Sequence, residues 1–132
     1  TLDCCKHPSY QDLEGLRVSS HFFIDRSGRL FQYVSCLDRA WHAGVSSYEG
    51  RENCNDFSIG VELEGTDSAP YEQAQYETLG LTDALAEAYP IKYVTGHSMI
   101  APLRKTDPGP AFDWLTYESL CTTGKPLCFP YV

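Results

Sequence analysis

His97, Lys105 and Asp107 stand close together in GHSMIAPLRKTDPGPAFDW, Gly96 to Trp114. Imidazole nitrogen and carboxylate oxygen are both good zinc ligands. With the backbone extended at Thr106, Lys105 and Asp107 project to the same side, because side chains alternate along an extended chain. A cation and a metal ligand would then share one pocket. Pro102, Pro108 and Pro110 each lack a backbone donor and bias the preceding residue to extended conformations. Almost none of the segment is therefore expected to be helix. Ordering so polar a loop costs entropy, and its charges point to a hydrolytic metal site. A catalytic zinc takes three protein ligands plus water. His7, His21 and His42 are the remaining histidines, and none has a spacing that marks it as the third.

Glu62 and Glu64 lie on one face of the segment SIGVELEG. They read either as a solvated strand face or as a carboxylate that takes a proton from a metal-activated water and returns it to a leaving group. Two such carboxylates close to the site would raise each other's pKa. Trp41 and His42, in RAWHAG, read as loop anchors or as a wall on which a sugar or peptide stacks. Lys105 either pairs with Asp107 at the surface or stabilises an oxyanion. Arg51 and Arg104 read as surface residues or as anchors for ligand carboxylates.

The elements that would carry these residues are short. HFFIDRSGRLFQYVS, from His21, reads as a β-hairpin turning at Arg26-Ser27-Gly28. Cys36 to Phe57 shows no periodicity and reads as a long loop, of the kind that is usually functional. SIGVELEG reads as a strand with Val61 and Leu63 on one face. YEQAQYETLGLTDALAEAY is the clearest helix, with an apolar stripe of Tyr76, Leu79, Leu81, Ala84, Leu85 and Ala88. IKYVT reads as a short strand, and a last helix is expected near LTYESL. Mixed strands and helices give an α/β or α+β fold, a single mixed sheet flanked by helices.

The chain has 132 residues, 42% hydrophobic and 13% aromatic, which suits one packed domain rather than a disordered chain. No apolar run reaches the length of a membrane span, and no apolar stretch near Thr1 resembles a signal peptide. A net charge of −8 disfavours a nucleic-acid partner. The six cysteines, with Cys4 and Cys5 adjacent and no CxxC pair, read as reduced thiols of a cytoplasmic protein. A disulfide framework would instead place the protein in the periplasm.

Four ordered strings, RVSSHFFIDRSGRLFQYVS, RAWHAGVS, NDFSIGVELEGTD and GHSMIAPLRKTDPGPAFDW, resemble the N-acetylmuramoyl-L-alanine amidases of the AmpD type. These share their fold with peptidoglycan recognition proteins. The resemblance runs from about Leu16 to Trp114. It implies a monomeric zinc enzyme of cell-wall recycling that cuts the amide between (1,6-anhydro-)N-acetylmuramic acid and L-alanine in muropeptides, with no membrane or nucleic-acid partner. It makes His97 and Asp107 zinc ligands, Glu62 the catalytic glutamate and Lys105 the lysine at the scissile carbonyl. Trp41, His42 and Arg17 fall in segments that line the substrate cleft.

Three features depart from the family pattern. Its first zinc histidine lies on a strand upstream of everything seen here, so residues 1–132 are expected to form one zinc-amidase domain lacking its N-terminal strand. On that count the chain alone would bind zinc weakly and be inactive. Ser98-Met99 replaces a more polar pair, and Asn53 occupies an often basic position. The tail CTTGKPLCFPYV matches nothing in the family. The rival readings are a zinc-free module that binds peptidoglycan fragments and an inactive truncated amidase.

Overall fold

The computed structural model describes residues 18–130. Two strands, β1 (Phe22–Ile24) and β2 (Leu30–Gln32), pair antiparallel in the register Phe23↔Phe31. The turn between them forms where the sequence places it. Asp25 Oδ1 accepts from the backbone N–H of Ser27 and of Arg29, at 3.0 and 2.9 Å. After a short two-stranded ribbon, β3 (Ser47–Tyr48) and β4 (Arg51–Glu52), comes β5 (Val61–Leu63). It runs parallel to β1, giving a mixed sheet of order β2-β1-β5. The mixed sheet is the one expected, and the β3–β4 ribbon is added to it. The segment read as a structureless loop from Cys36 to Phe57 carries the second sheet, too short to show a period of two.

The register Ile24↔Leu63 and Phe22↔Val61 sends one row of side chains to one face. There Ile24 is enclosed, and Val61 and Leu63 pack against the main core with Tyr71, Tyr76, Leu79, Phe112, Trp114 and Tyr117. Glu62, paired with Phe23, lies on the opposite face.

α1 (Gln73–Gly80) packs on the sheet and on α4 (Trp114–Leu120), the helix expected near LTYESL. Gln75 is wholly buried at 0% exposure. Its Oε1 accepts from Glu72 N–H and its Nε2 donates to the Glu64 carbonyl, both at 2.9 Å. One side chain thereby closes the first turn of α1 and ties it to the end of β5, leaving no orphaned amide in the core.

The predicted long helix does not continue as one. After Gly80 the chain tightens into a 3-10 turn, Leu81–Ala84, before α2 (Leu85–Ala88). Three residues per turn rotates the buried face relative to 3.6. Leu81 is consequently 69% exposed, and Ala84 and Ala88 face solvent. The buried residue is Asp83, whose Oδ2 accepts from the N–H groups of Thr123 and Gly124 at 2.7 and 3.0 Å. The unfamiliar tail is therefore fastened to the fold by a carboxylate. Among the described residues IKYVT contributes a single bridge, Tyr93 to Cys128.

The loop from Gly96 to Trp114 contains one helical turn, α3 (His97–Ile100), where the proline argument expected almost none. All three prolines lie beyond it, so they do not oppose it. The rest is held by its aromatic end. Phe112 meets Trp114 edge-on with centroids 4.7 Å apart, and Tyr71 similarly at 5.6 Å. Tyr71 Oη donates to the Pro108 carbonyl at 3.0 Å, and Ser98 N–H to that of Asp107 at 2.8 Å. We expect Phe112→Ala to lower the unfolding free energy by about 3–5 kcal/mol in urea titrations. Leu81→Ala should stay within about 0.5 kcal/mol, the reverse of what an unbroken stripe requires.

Candidate active site

The end of the Gly96–Trp114 loop meets β5 across a cleft of about 790 Å³ lined by His42, Glu62, His97 and Asp107 among polar groups, and by Leu79, Trp114 and Tyr117. His97 and Asp107 do share one site: Nδ1 and Oδ2 are 3.2 Å apart. The other ring nitrogen, Nε2, donates to the Ala43 carbonyl at 2.9 Å. An acceptor at each end of the ring favours its doubly protonated form. Burial opposes that charge, but the hydrogen bonds to Asp107 and Ala43 outweigh it and raise the His97 pKa. Asp107 is also pushed up by burial, and the His97 bond more than compensates, leaving its carboxyl below the usual range.

Glu62 is 9% exposed. Burial, with the nearby negative charge of Asp107, pushes its pKa up to about 8. His97 and Lys105 act against that rise. Lys105 also acts electrostatically on His97 and Asp107, so the sequence-predicted residues Glu62, His97, Lys105 and Asp107 form one electrostatic group. Glu64 does not join it. Its Oε2 accepts from Arg26 N–H in the β1–β2 turn at 2.8 Å. The shift on Glu62 therefore comes from burial and Asp107, and not from a Glu62–Glu64 pair.

His42 lines the cleft while Trp41 does not. The Trp41 ring is 55% exposed, with the Arg39 guanidinium stacked 3.9 Å above it. His42 packs on Gly60 so closely that a Cβ there would lie 2.5 Å from the ring, which explains a glycine just before β5. Burial, then His21 and His97, pull the His42 pKa down to about 4, so the ring is neutral at pH 7. Ser58 Oγ, which donates to the Cys54 carbonyl at 2.6 Å, stands 3.3 Å from His42 Nε2. Arg17 lies outside the described residues.

Asn55 escaped sequence reasoning, and His21 and Arg104 have supporting roles it did not assign. Asn55 Oδ1 accepts both the His42 and the Ala43 N–H, at 3.0 and 2.8 Å. His21 Nδ1 accepts from Gly60 N–H at 3.1 Å while Nε2 faces the Asp38 carbonyl at 2.8 Å, so neither nitrogen is left for a metal. Arg104 neither stands free nor awaits a carboxylate: Nη2 donates to the carbonyls of Ala43 and Val45, at 2.6 and 2.9 Å. Arg51 stacks 4.0 Å from the Phe57 ring centroid.

The donor pair suits zinc. Two ligands about 2 Å from one tetrahedral ion stand about 3.3 Å apart, close to the observed 3.2 Å. The Nε2–H bond to a backbone carbonyl is the usual outer partner of a ligating histidine. Among the described residues, no group of three or more His, Cys, Asp or Glu side chains is assembled for a metal, so the set stands at two donors.

Residues 1–110 match the family model of N-acetylmuramoyl-L-alanine amidase, Amidase_2. The 1,6-anhydro-N-acetylmuramyl-L-alanine amidase AmpD of Citrobacter freundii is 55% identical over 125 residues, covering 92% of this chain and 67% of that protein. The chain belongs to the N-acetylmuramoyl-L-alanine amidases. Among solved amidases, a selenomethionine AmpD derivative superposes with a TM-score of 0.77 at 55% identity, over 88% of this chain and 66% of the other. AmiD of E. coli, in complex with the substrate anhydro-N-acetylmuramic acid-L-Ala-D-gamma-Glu-L-Lys, gives a TM-score of 0.73 at 36% identity, over 79% of this chain and 48% of that one. The chain spans about two thirds of the length of the AmpD relative, and the mixed sheet with packed helices is the amidase fold.

The amidase should carry a pH signature of Glu62. A carboxyl whose pKa rises on folding contributes stability that is complete below its unfolded value, 4.5, and is lost as pH passes through about 8. Metal-free protein should therefore lose stability between those limits in urea titrations, and Glu62→Gln should flatten that slope.

Proposed function

We propose that the protein is a zinc-dependent amidase, a single catalytic domain that cleaves the amide between 1,6-anhydro-N-acetylmuramic acid and L-alanine in muropeptides during cell-wall recycling. The carrying observation is a buried glutamate, Glu62, facing the same cleft as the His97–Asp107 pair. The match of 92% of the chain to an AmpD supports the substrate.

His97 Nδ1 and Asp107 Oδ2 would hold the zinc, displacing the proton between them. Zinc supplies Lewis acidity at the scissile carbonyl and acidifies a water. Positive charge brought to this pair pulls Glu62 back toward its carboxylate form. Glu62 then takes the proton of the attacking water and delivers it to the alanine nitrogen, which leaves as an amine. Lys105 stabilises negative charge on the tetrahedral oxygen. His42 stays neutral and offers a wall to the substrate. The protein would work as a monomer in the reducing cytoplasm, where cysteines such as Cys36, Cys54, Cys121 and Cys128 stay reduced.

A second reading follows from the two-donor set among the described residues: a cleft that binds muropeptide without hydrolysing it. Zinc-supplemented protein and an anhydromuramyl tripeptide separate the two. The amidase reading, against the sequence expectation of a weakly zinc-binding and inactive chain, expects turnover that Glu62→Gln lowers by about 100-fold or more, while Glu64→Gln changes it by less than about threefold. Equal losses in both variants would overturn the role of Glu62. Peptide binding without zinc uptake or turnover would establish the binding module.

A further inference from the structure

We infer that Arg104 is a positioning residue that fixes the orientation of the His97 ring through a carbonyl both side chains share. The inference rests on the reading of His97 as a zinc ligand for its consequence, but not for its geometry. The Ala43 carbonyl oxygen accepts from His97 Nε2 at 2.9 Å and from Arg104 Nη2 at 2.6 Å. A carbonyl oxygen has two lone pairs, and these two donors occupy both. The same Nη2 reaches the Val45 carbonyl at 2.9 Å, so one guanidinium nitrogen straddles Gly44 and sets the plane of the peptide that His97 addresses.

The segment is shaped for that clamp. Gly44 has φ +61°, and a Cβ there would lie 2.8 Å from Arg104 Nη2. Left-handed backbone and close approach of a side chain both favour glycine. On the other side, Asn55 Oδ1 takes the Ala43 N–H at 2.8 Å, so the Ala43 residue is gripped at both its N–H and its C=O. A guanidinium places two bonds in a fixed plane at less entropic cost than an ammonium. The backbone of Arg104 is itself turned back by its N–H donating to the Ala101 carbonyl at 3.0 Å, and that of Lys105 by the same carbonyl at 2.9 Å. Fastening Arg104 to residues 43–45 therefore also fixes the start of the turn from which Lys105 projects.

Removing the clamp frees the peptide after Ala43 to rotate, and the His97 Nε2–H loses a held acceptor. Nδ1 then loses its aim toward Asp107. Outer partners of metal-binding histidines influence affinity or activity by about 10–100-fold.

The test compares solvent exchange of ring protons by nitrogen-15 NMR in metal-free protein, for wild type, Arg104→Met and Gly44→Ala. The His21 ring, bonded to the Asp38 carbonyl at 2.8 Å, serves as internal control because Arg104 has no bond to it. Both variants should speed exchange at His97 Nε2 by about tenfold, leave His21 unchanged, and weaken zinc binding in competition titrations by about tenfold. Unchanged exchange at His97 in Arg104→Met overturns the inference. So does equal acceleration at His97 and His21, which would mark general loosening of the fold. A wild-type protein that takes up no zinc contradicts the proposed function, while the exchange comparison still decides the role of Arg104.

Discussion

A carboxyl group with 9% exposure must be neutral or compensated, and Glu62 is where this molecule meets that constraint. Its placement follows from the parallel register of β5 with β1, which sends Val61 and Leu63 into the aromatic core and leaves Glu62 on the other face. Nothing on its own strand balances the charge, since Glu64 is committed to the Arg26 N–H. Among the described residues the compensating groups, His97 and Lys105, come from the loop across the cleft, and Asp107 opposes them. Burial thus makes Glu62 respond strongly to whatever charge the loop carries. That response suits a group that must accept and return a proton.

The loop earns its order from two unlike sources. Its far end is apolar: Phe112 and Trp114 enter the core, and Tyr71 and Tyr76 tie their hydroxyls to the Pro108 carbonyl and the Asp113 N–H. Its near end is polar and depends on the backbone of Ala43, held by Asn55, His97 and Arg104. The His97–Asp107 pair sits between these anchorages. A site so built tolerates surface change around it but is sensitive to small movements of the 43–45 peptides.

Much of this was legible in the sequence where local chemistry dictates the outcome. The β1–β2 hairpin followed from its turn residues and β5 from alternation, and α4 lies where a last helix was expected near LTYESL. The gathering of His97, Asp107, Lys105 and Glu62 followed from loop composition and from ordered motifs. The reading failed where tertiary contacts overrule local pattern. Leu81 lies in an apolar stripe on paper, but a 3-10 turn presents Asp83 inward instead, to hold Thr123 and Gly124. The β3–β4 ribbon has two-residue strands, below the length at which alternation can be seen. The roles of Asn55 and Arg104 gave no signal because both bond backbone groups distant in sequence, and such a bond leaves no mark on the residue that makes it. Trp41 was read together with His42, yet adjacent residues on extended chain face opposite ways, and only His42 lines the cleft.

The most direct test of the account is the identity of the bond cut. Zinc-supplemented protein incubated with an anhydromuramyl-L-alanyl peptide should yield, by mass spectrometry, free anhydro-N-acetylmuramic acid and a peptide beginning with L-alanine, with one oxygen from labelled water in the new carboxylate. Cleavage at any other bond, or an intact substrate in the presence of stoichiometrically bound zinc, would contradict it.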